Sequence, residues 1–241
     1  MVVEYPQELQ QRVEQAIVAG ELPVGQVWSL GALAGRFQAA ADPLRRVVQA
    51  ARRKGLVEAV ETEGDVFRVL GLPTTQFASV FTHTAGSGFQ PRSEVRQAEV
   101  EPATLLVADR LRVEPGSPVY RYVRTRWVNE EALANQTNYM PFEVCPGLEG
   151  DDVSRTSFQK LLEDKYHAVL VDMQEQYSLV PATEQDRAVL GLPQGAAVLV
   201  VDRIALSASG WPLVWADIRI RPDRFEYVAA LWPQAAELLK P

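Results

Sequence analysis

The feature that most constrains this chain is a pattern that occurs twice. Leu111, Val113, Gly116, Val119 and Arg124 stand at offsets 0, 2, 5, 8 and 13, and Leu190, Leu192, Gly195, Val198 and Arg203 repeat those offsets. Each copy reads as a helix end, a turn at glycine, then a strand with alternating apolar positions. A break follows at residues 129–131 and 209–210, and a second strand returns over 133–139 and 213–220. Two hairpins of this kind fit one antiparallel sheet. In the first, Arg124 and Arg126 are two apart and project from one face of the strand. Two adjacent guanidinium groups repel unless something anionic sits between them. Either they lie on a solvated outer face, or they pair with Glu130, Glu131 or another carboxylate, or they form an anion-binding floor. Arginine's planar fork suits the second role.

Residues 1–70 read as three helices and a hairpin. Leu9, Val13, Ala16 and Ile17 form one apolar face, closed by Gly20. Leu30, Leu33, Ala34 and Phe37 form the next, with Ser29 placed to cap. Leu44, Val47, Val48 and Ala51 form the third; Asp42 is placed as N-cap, Pro43 at the first helical position, and Gly55 closes the helix. Strands at 56–60 and 66–70 flank a tip at 61–65. This is the winged helix-turn-helix plan. Arg36, Arg45, Arg46, Arg52, Arg53 and Lys54 give residues 36–54 a net charge of +5 against Asp42 alone. Of these, Arg36, Arg45, Arg46, Arg52 and Lys54 are candidate contacts to DNA. The tip carries Glu61, Glu63 and Asp65, which phosphates repel, so a merely solvated basic face is the other reading.

Residues 71–88 read as a linker, in which His83 has no partner at a metal-ligand spacing. Beyond it come a strand at 93–100, a helix at 102–111, a helix at 154–166, a strand at 169–179 and a helix at 181–190. Ser154, Arg155, Thr156 and Ser157 crowd the start of the second helix, where free N–H groups favour an anion or simply need a cap. His167 follows a helix end, where the dipole stabilises a cation. Trp127, Trp211 and Trp215 add aromatic surface or core. The single Cys145 cannot form an intramolecular disulfide and fits a buried site in a reducing, cytoplasmic compartment. No apolar run approaches the ~20 residues of a membrane span, and the first residues do not read as a signal peptide. The net charge of −7 argues against general nucleic-acid affinity without excluding a local patch. No glycine-rich phosphate loop, metal cluster or nucleophile elbow is present in the sequence, so neither a cofactor nor an enzymatic reaction is expected.

The marks from Gly88 to Tyr227 resemble the effector-binding (UTRA) domain of GntR-type bacterial regulators of the HutC subfamily. They are Gly88-Phe89, Leu111 with Pro118-Val119, Arg124-x-Arg126, Tyr139-x-Pro141, Ser157-Phe158 with Leu161, and Arg221-x-Asp223-Arg224-Phe225. Ile17-x2-Gly20-x-Leu22-x2-Gly25, Leu33-Ala34-x-Arg36-Phe37, Arg45 and Gly55-Leu56-Val57-Glu58 resemble the GntR DNA-binding domain. The resemblance implies an α+β fold: a winged helix-turn-helix domain (1–70), a linker (71–88) and a chorismate-lyase-like antiparallel-sheet domain (89–241). It implies a small-molecule effector held by Arg124, Arg126 and Ser157, with Glu175, Tyr177 and Arg221 as further contacts, and a homodimer that binds DNA. The chain departs from the family where DNA is touched, at Trp28-Ser29-Leu30-Gly31, Ala40-Ala41-Asp42 and Thr62-Glu63-Gly64. It also has Gln136 and Val214 where the family usually has Glu. The alternative is therefore a member deficient in DNA binding that acts as a ligand sensor or through a protein partner.

Overall fold

The computed structural model describes residues 5–60, 65–73, 91–151 and 158–224. Glu61 and Glu63 at the tip, His83 and most of the linker, and the 154–157 cluster with Ser157 lie outside the described residues.

An N-terminal unit contains α1 (Gln7–Val18), β1 (Val27–Ser29), α2 (Leu30–Phe37), α3 (Ala41–Lys54), β2 (Val57–Ala59) and β3 (Val66–Val69). The three apolar faces predicted from the sequence meet in one core that includes Val13, Ile17, Leu33, Phe37, Leu44, Val48 and Phe67. Ser29 caps α2, its Oγ accepting from the Ala32 N–H at 3.1 Å. The strands form an antiparallel sheet in the order β1-β3-β2. β1 was not expected: it is three residues long and carries no alternation of its own. Asp42 does not cap α3. The N-cap is Ala40, and Asp42 lies inside the first turn, exposed and 3.4 Å from Arg45. The first four N–H groups of a helix have no internal acceptor, so Pro43 is tolerated past the first position and the helix starts two residues early.

A C-terminal unit contains β4 (Pro91–Pro102), α4 (Leu105–Leu111), β5 (Pro118–Val128), β6 (Glu131–Pro141), α5 (Phe158–Tyr166), β7 (Asp172–Pro181), α6 (Glu184–Leu190), β8 (Ala197–Leu206) and β9 (Pro212–Ile220). Its antiparallel sheet has the order β4-β5-β6-β9-β8-β7. The two sequence repeats are thus two strand–helix–hairpin halves, joined where β6 pairs with β9. Equivalent threonines start the repeated helices: Thr104 accepts from Val107 N–H, and Thr183 forms a capping box with Asp186. Those caps place the helix starts at 105 and 184, later than the 102 and 181 expected, and the preceding strands run on to Pro102 and Pro181. α4 and α6 cover one face through Leu111 with Val119 and Leu190 with Val198. On the other face α5 packs Phe158 and Leu162 on Tyr122, Met140 and Val214.

The two units meet at the last turn of α3. Lys54 is fully buried, and its ammonium donates to both Glu14 oxygens at 2.7 and 2.9 Å and to the Tyr166 carbonyl at 2.6 Å. Gln10 braces Glu14 at 2.8 Å and donates to the Glu143 carbonyl at 2.9 Å. Arg53 bonds the Glu143 carboxylate at 2.7 Å and the Leu111 carbonyl at 3.0 Å, and lies over the Trp211 ring. The turn between β8 and β9 caps α3, with Ser209 Oγ donating to the Arg52 carbonyl at 2.8 Å. Gly55 is required twice over: its φ is +79°, and a Cβ there would meet Ala208 Cβ at 3.1 Å. A cleft lined by Arg12, Glu14, Arg36, Lys165 and His167 opens beside this junction. His167 has φ +52°, and burial holds its pKa below the usual value, so the dipole-stabilised cation expected from the sequence is not favoured.

Two outcomes follow for stability. Glu14→Gln leaves a buried ammonium without its carboxylate and should cost about 3–5 kcal/mol, whereas Glu14→Leu with Lys54→Met should retain most of the stability. Urea unfolding of the two variants measures both, and equal losses would contradict the pairing. The imidazole titrates lower in the folded chain than in the unfolded chain, so its contribution is present above the unfolded pKa of about 6.5 and is lost as pH falls through the folded pKa. His167→Asn, which tolerates the positive φ, should therefore flatten the decline of thermal stability on the acid side.

Candidate functional site

The register of the sheet fixes what shares a face with the paired arginines. Arg124 lies opposite Gln136 and Arg126 opposite Ala134, with Asn138 one step along β6. Gln136 sits between the two guanidinium groups. Its Oε1 accepts from Arg124 Nε at 3.2 Å and Arg126 Nε at 3.0 Å, and its Nε2 donates to Asn138 Oδ1 at 2.7 Å. Both arginines are buried, at 6% and 9% exposure, which removes the solvated-face reading. The ion-pair reading with Glu131 is also overturned, because Glu131 bonds Arg224 at 2.5 and 2.8 Å. Among the described residues no carboxylate pairs with Arg124, whose guanidinium lies over the Tyr122 and Phe158 rings. Burial pushes the Arg124 pKa down to about 10. That of Arg126 falls well below its usual value, from burial and then the repulsion of Arg124 and Arg203. Cationic groups that are desolvated and beside one another favour an anion over water.

Arg203, the repeat equivalent of Arg124, is on the same face but differently satisfied. Its Nε bonds Glu175 Oε1 at 2.5 Å, and Tyr177 donates its hydroxyl to the other Glu175 oxygen. The candidates Glu175 and Tyr177 are thus brought to the arginine face, where the Glu175 carboxylate neutralises Arg203 and Tyr177 braces that carboxylate. Arg203 itself was missed as a site residue, although its place in the repeat was the available signal. Arg221 does not join the group. It bonds Asp223 through two 2.8 Å contacts and the Leu190 carbonyl at 3.2 Å, tying the end of β9 to α6 on the opposite face. The tryptophans do not line the floor either. Trp215 stacks on Tyr139 beneath α4, Trp127 packs beneath α6, and Trp211 lies under Arg53.

The candidate DNA contacts divide in the same way. Lys54 is a correction: it is buried at the junction of the two units and reaches no external ligand in this arrangement. Arg36 pairs with Glu21 at 3.2 Å, and Arg45 with Asp65 at 3.0 Å and Asp42 at 3.4 Å. Arg52 is exposed and Arg46 half-buried. Gln49, exposed between Arg45 and Arg52 on one helix face, was overlooked; its spacing from both was the signal.

With this geometry in place, comparison with known proteins is decisive for the family. Residues 86–226, more than half of the chain, match the model of the UTRA domain. The transcriptional regulator GmuR of Bacillus subtilis is 28% identical over 134 residues, 56% of each chain. The transcriptional repressor NagR of the same species is 25% identical over 146 residues, 58% of each. The chain thus matches little more than half the length of these curated relatives. The crystal structure of PhnF from Mycobacterium smegmatis aligns over 90% of this chain and 95% of that one at TM-score 0.57 and 15% identity. The C-terminal domain of Yurk from Bacillus subtilis aligns over 54% and 90%, at TM-score 0.52 and 21% identity. At those identities the structural likeness shows the fold alone. The chain belongs to the UTRA-domain family of GntR/HutC-type regulators.

The cost of the buried cation gives a test that needs no ligand. Arg124→Met keeps the packing over Phe158 and removes a desolvated charge held by one neutral acceptor. It should leave the protein equally or more stable, by up to ~1–3 kcal/mol. A marked loss on thermal unfolding would mean that Arg124 holds the fold.

Proposed function

We propose that this chain is a ligand-responsive transcriptional regulator whose C-terminal unit binds a small anionic metabolite and thereby modulates DNA binding by the N-terminal unit. The reading divides the chain into a winged helix-turn-helix domain (1–70), a linker (71–88) and an effector domain (89–241). The observation that carries it is the buried pair Arg124 and Arg126 bridged by the neutral amide of Gln136, with no carboxylate bonded to Arg124 among the described residues. Arg124 and Arg126 hold the anion, with Ser157 as a further donor; Glu175 and Tyr177 set the position of Arg203 at its edge. Arg221 braces the strand. A homodimer is the assembly by which helix-turn-helix proteins meet paired half-sites.

On the DNA side, the reading rests on Arg36, Arg45, Arg46 and Arg52. A second reading, a member that senses ligand without reading DNA, is favoured by one observation: Arg45, well placed for base contact, is held by Asp65 and Asp42. No helix among the described residues is long and apolar enough to cross a membrane.

Titration with inorganic phosphate and small carboxylates, followed by thermal shift and calorimetry, tests the floor. Arg124→Ala and Arg126→Ala should each weaken the responding anion by about 1.5–3 kcal/mol. Gln136→Glu should abolish the response by placing a carboxylate between the two guanidinium groups. Equal affinity in all variants removes the ligand from this strand. Fluorescence anisotropy with selected and random duplexes tests the DNA arm. Four phosphate contacts give a slope of log affinity against log salt of about −3.6. Asp65→Asn should tighten binding by releasing Arg45. Absence of binding by both proteins decides for the second reading.

A further inference from the structure

We propose that Tyr166 is a positioning residue that links the arginine floor to the last turn of α3, so that movement at the floor reaches Lys54 through the anchored Tyr166 side chain and its carbonyl. The link rests on the anion-binding reading for its biological use, though not for its test. Tyr166 ends α5 and is 4% exposed, and its two polar groups serve different partners. Its hydroxyl donates to Asp151 Oδ2, immediately before the segment that leads into α5. Its carbonyl accepts from Lys54 Nζ at 2.6 Å, across the junction. Burial and the Asp151 carboxylate both raise the Tyr166 pKa, which keeps the hydroxyl a donor at every working pH.

The opposite end of α5 is at the floor. Phe158 stacks on Tyr122 with ring centroids 5.5 Å apart, and the Arg124 guanidinium lies 5.8 Å from its centroid. α5 is nine residues long, which at 1.5 Å per residue makes it a rod of about 13 Å. An anion at Arg124 that shifts Phe158 displaces the rod as a unit, because its inner residues are packed. At the far end Lys54 is equally constrained. Its three ammonium hydrogens have three acceptors, two on Glu14 and one on Tyr166. The last turn of α3 and Glu14 on α1 must follow the Tyr166 carbonyl or leave a buried donor unpaired. The neighbouring Lys165 bonds the same Asp151 carboxylate from the exposed side and lies over the Tyr166 ring, yet it supplies none of the three acceptors of the Lys54 ammonium, so Lys165→Met separates loss of a surface charge from loss of the hydroxyl bond.

Hydrogen–deuterium exchange on the full chain tests the link. Without ligand, Tyr166→Phe and Asp151→Asn should each speed exchange in α1 and α3 on the order of tenfold, as expected for local opening of a docked element. The double variant should go no further than Asp151→Asn alone, because that substitution already weakens the bond lost in Tyr166→Phe along with the Lys165 ion pair. Lys165→Met should leave α1 and α3 unaltered. With inorganic phosphate as the probe, the wild type should change exchange in α5 and in α1 and α3 together, and Tyr166→Phe in α5 alone. The proposal is overturned if Tyr166→Phe leaves α1 and α3 unaltered without ligand, if Lys165→Met acts as strongly, or if phosphate still reaches α1 and α3 in Tyr166→Phe. No phosphate response anywhere in the wild type removes the anion-floor reading, while the ligand-free arm still decides the link.

Discussion

The arrangement of the two units depends on one buried ammonium. Taking Lys54 out of water is costly unless every hydrogen finds an acceptor, and the structure supplies three from two different units. That requirement organises its surroundings. Glu14 must be on α1 and must itself be held, which Gln10 does; Gln10 in turn reaches the Glu143 carbonyl, and Glu143 takes Arg53. An apolar junction would permit many nearby arrangements of similar energy. This one is polar and directional, so it favours discrete arrangements in which whole sets of bonds are made or broken together.

The sheet shows how a symmetric scaffold acquires an asymmetric site. The two halves share turns, caps and strand lengths closely enough to place Arg124 and Arg203 at equivalent positions on one face. What differs is the company each keeps. Arg203 has Glu175 on the neighbouring strand and is neutralised. Arg124 has Arg126 two residues away and the neutral amide of Gln136, and no carboxylate bonds it among the described residues. Under the proposed anion-binding reading, the stability of the ligand-free protein and its affinity for an anion pull in opposite directions, as is general where binding groups are preorganised without their ligand.

Most of the scaffold was legible in the sequence because its signals are local. Glycine turns, threonine caps and apolar spacing fixed the halves of the sheet and the three helices of the N-terminal unit to within a few residues. The failures have physical reasons. β1 is too short to carry a pattern, and it forms only because β3 lies beside it. The start of α3 was misplaced because Asp42 and Pro43 are both acceptable a residue or two inside a helix. Arg124 and Arg126 were correctly placed on one face, but what they meet there, the amide of Gln136, and the pairing of Glu131 with Arg224 depend on partners far apart in the chain. His167 was misjudged because burial, which no local pattern reports, outweighs a helix dipole.

Lys54 is the most instructive case, since the sequence did hold the signal. Leu44, Val47 and Ala51 recur at helical spacing, and three residues on the same stripe delivers Lys54, not a solvent position. Counting cations along residues 36–54 treated α3 as one basic surface, when a helix of 14 residues presents separate faces. One face packs into the N-terminal core. A second, with the buried Ala50, Arg53 and Lys54, meets the C-terminal unit. Only the third, with Asp42, Arg45, Gln49 and Arg52, faces outward. The cations that looked like a reserve for phosphates are thus partly invested in holding the units together. The outward face of α3 carries two arginines and one acid, so the charge this helix presents to an external partner is that remainder and not the total charge of the segment.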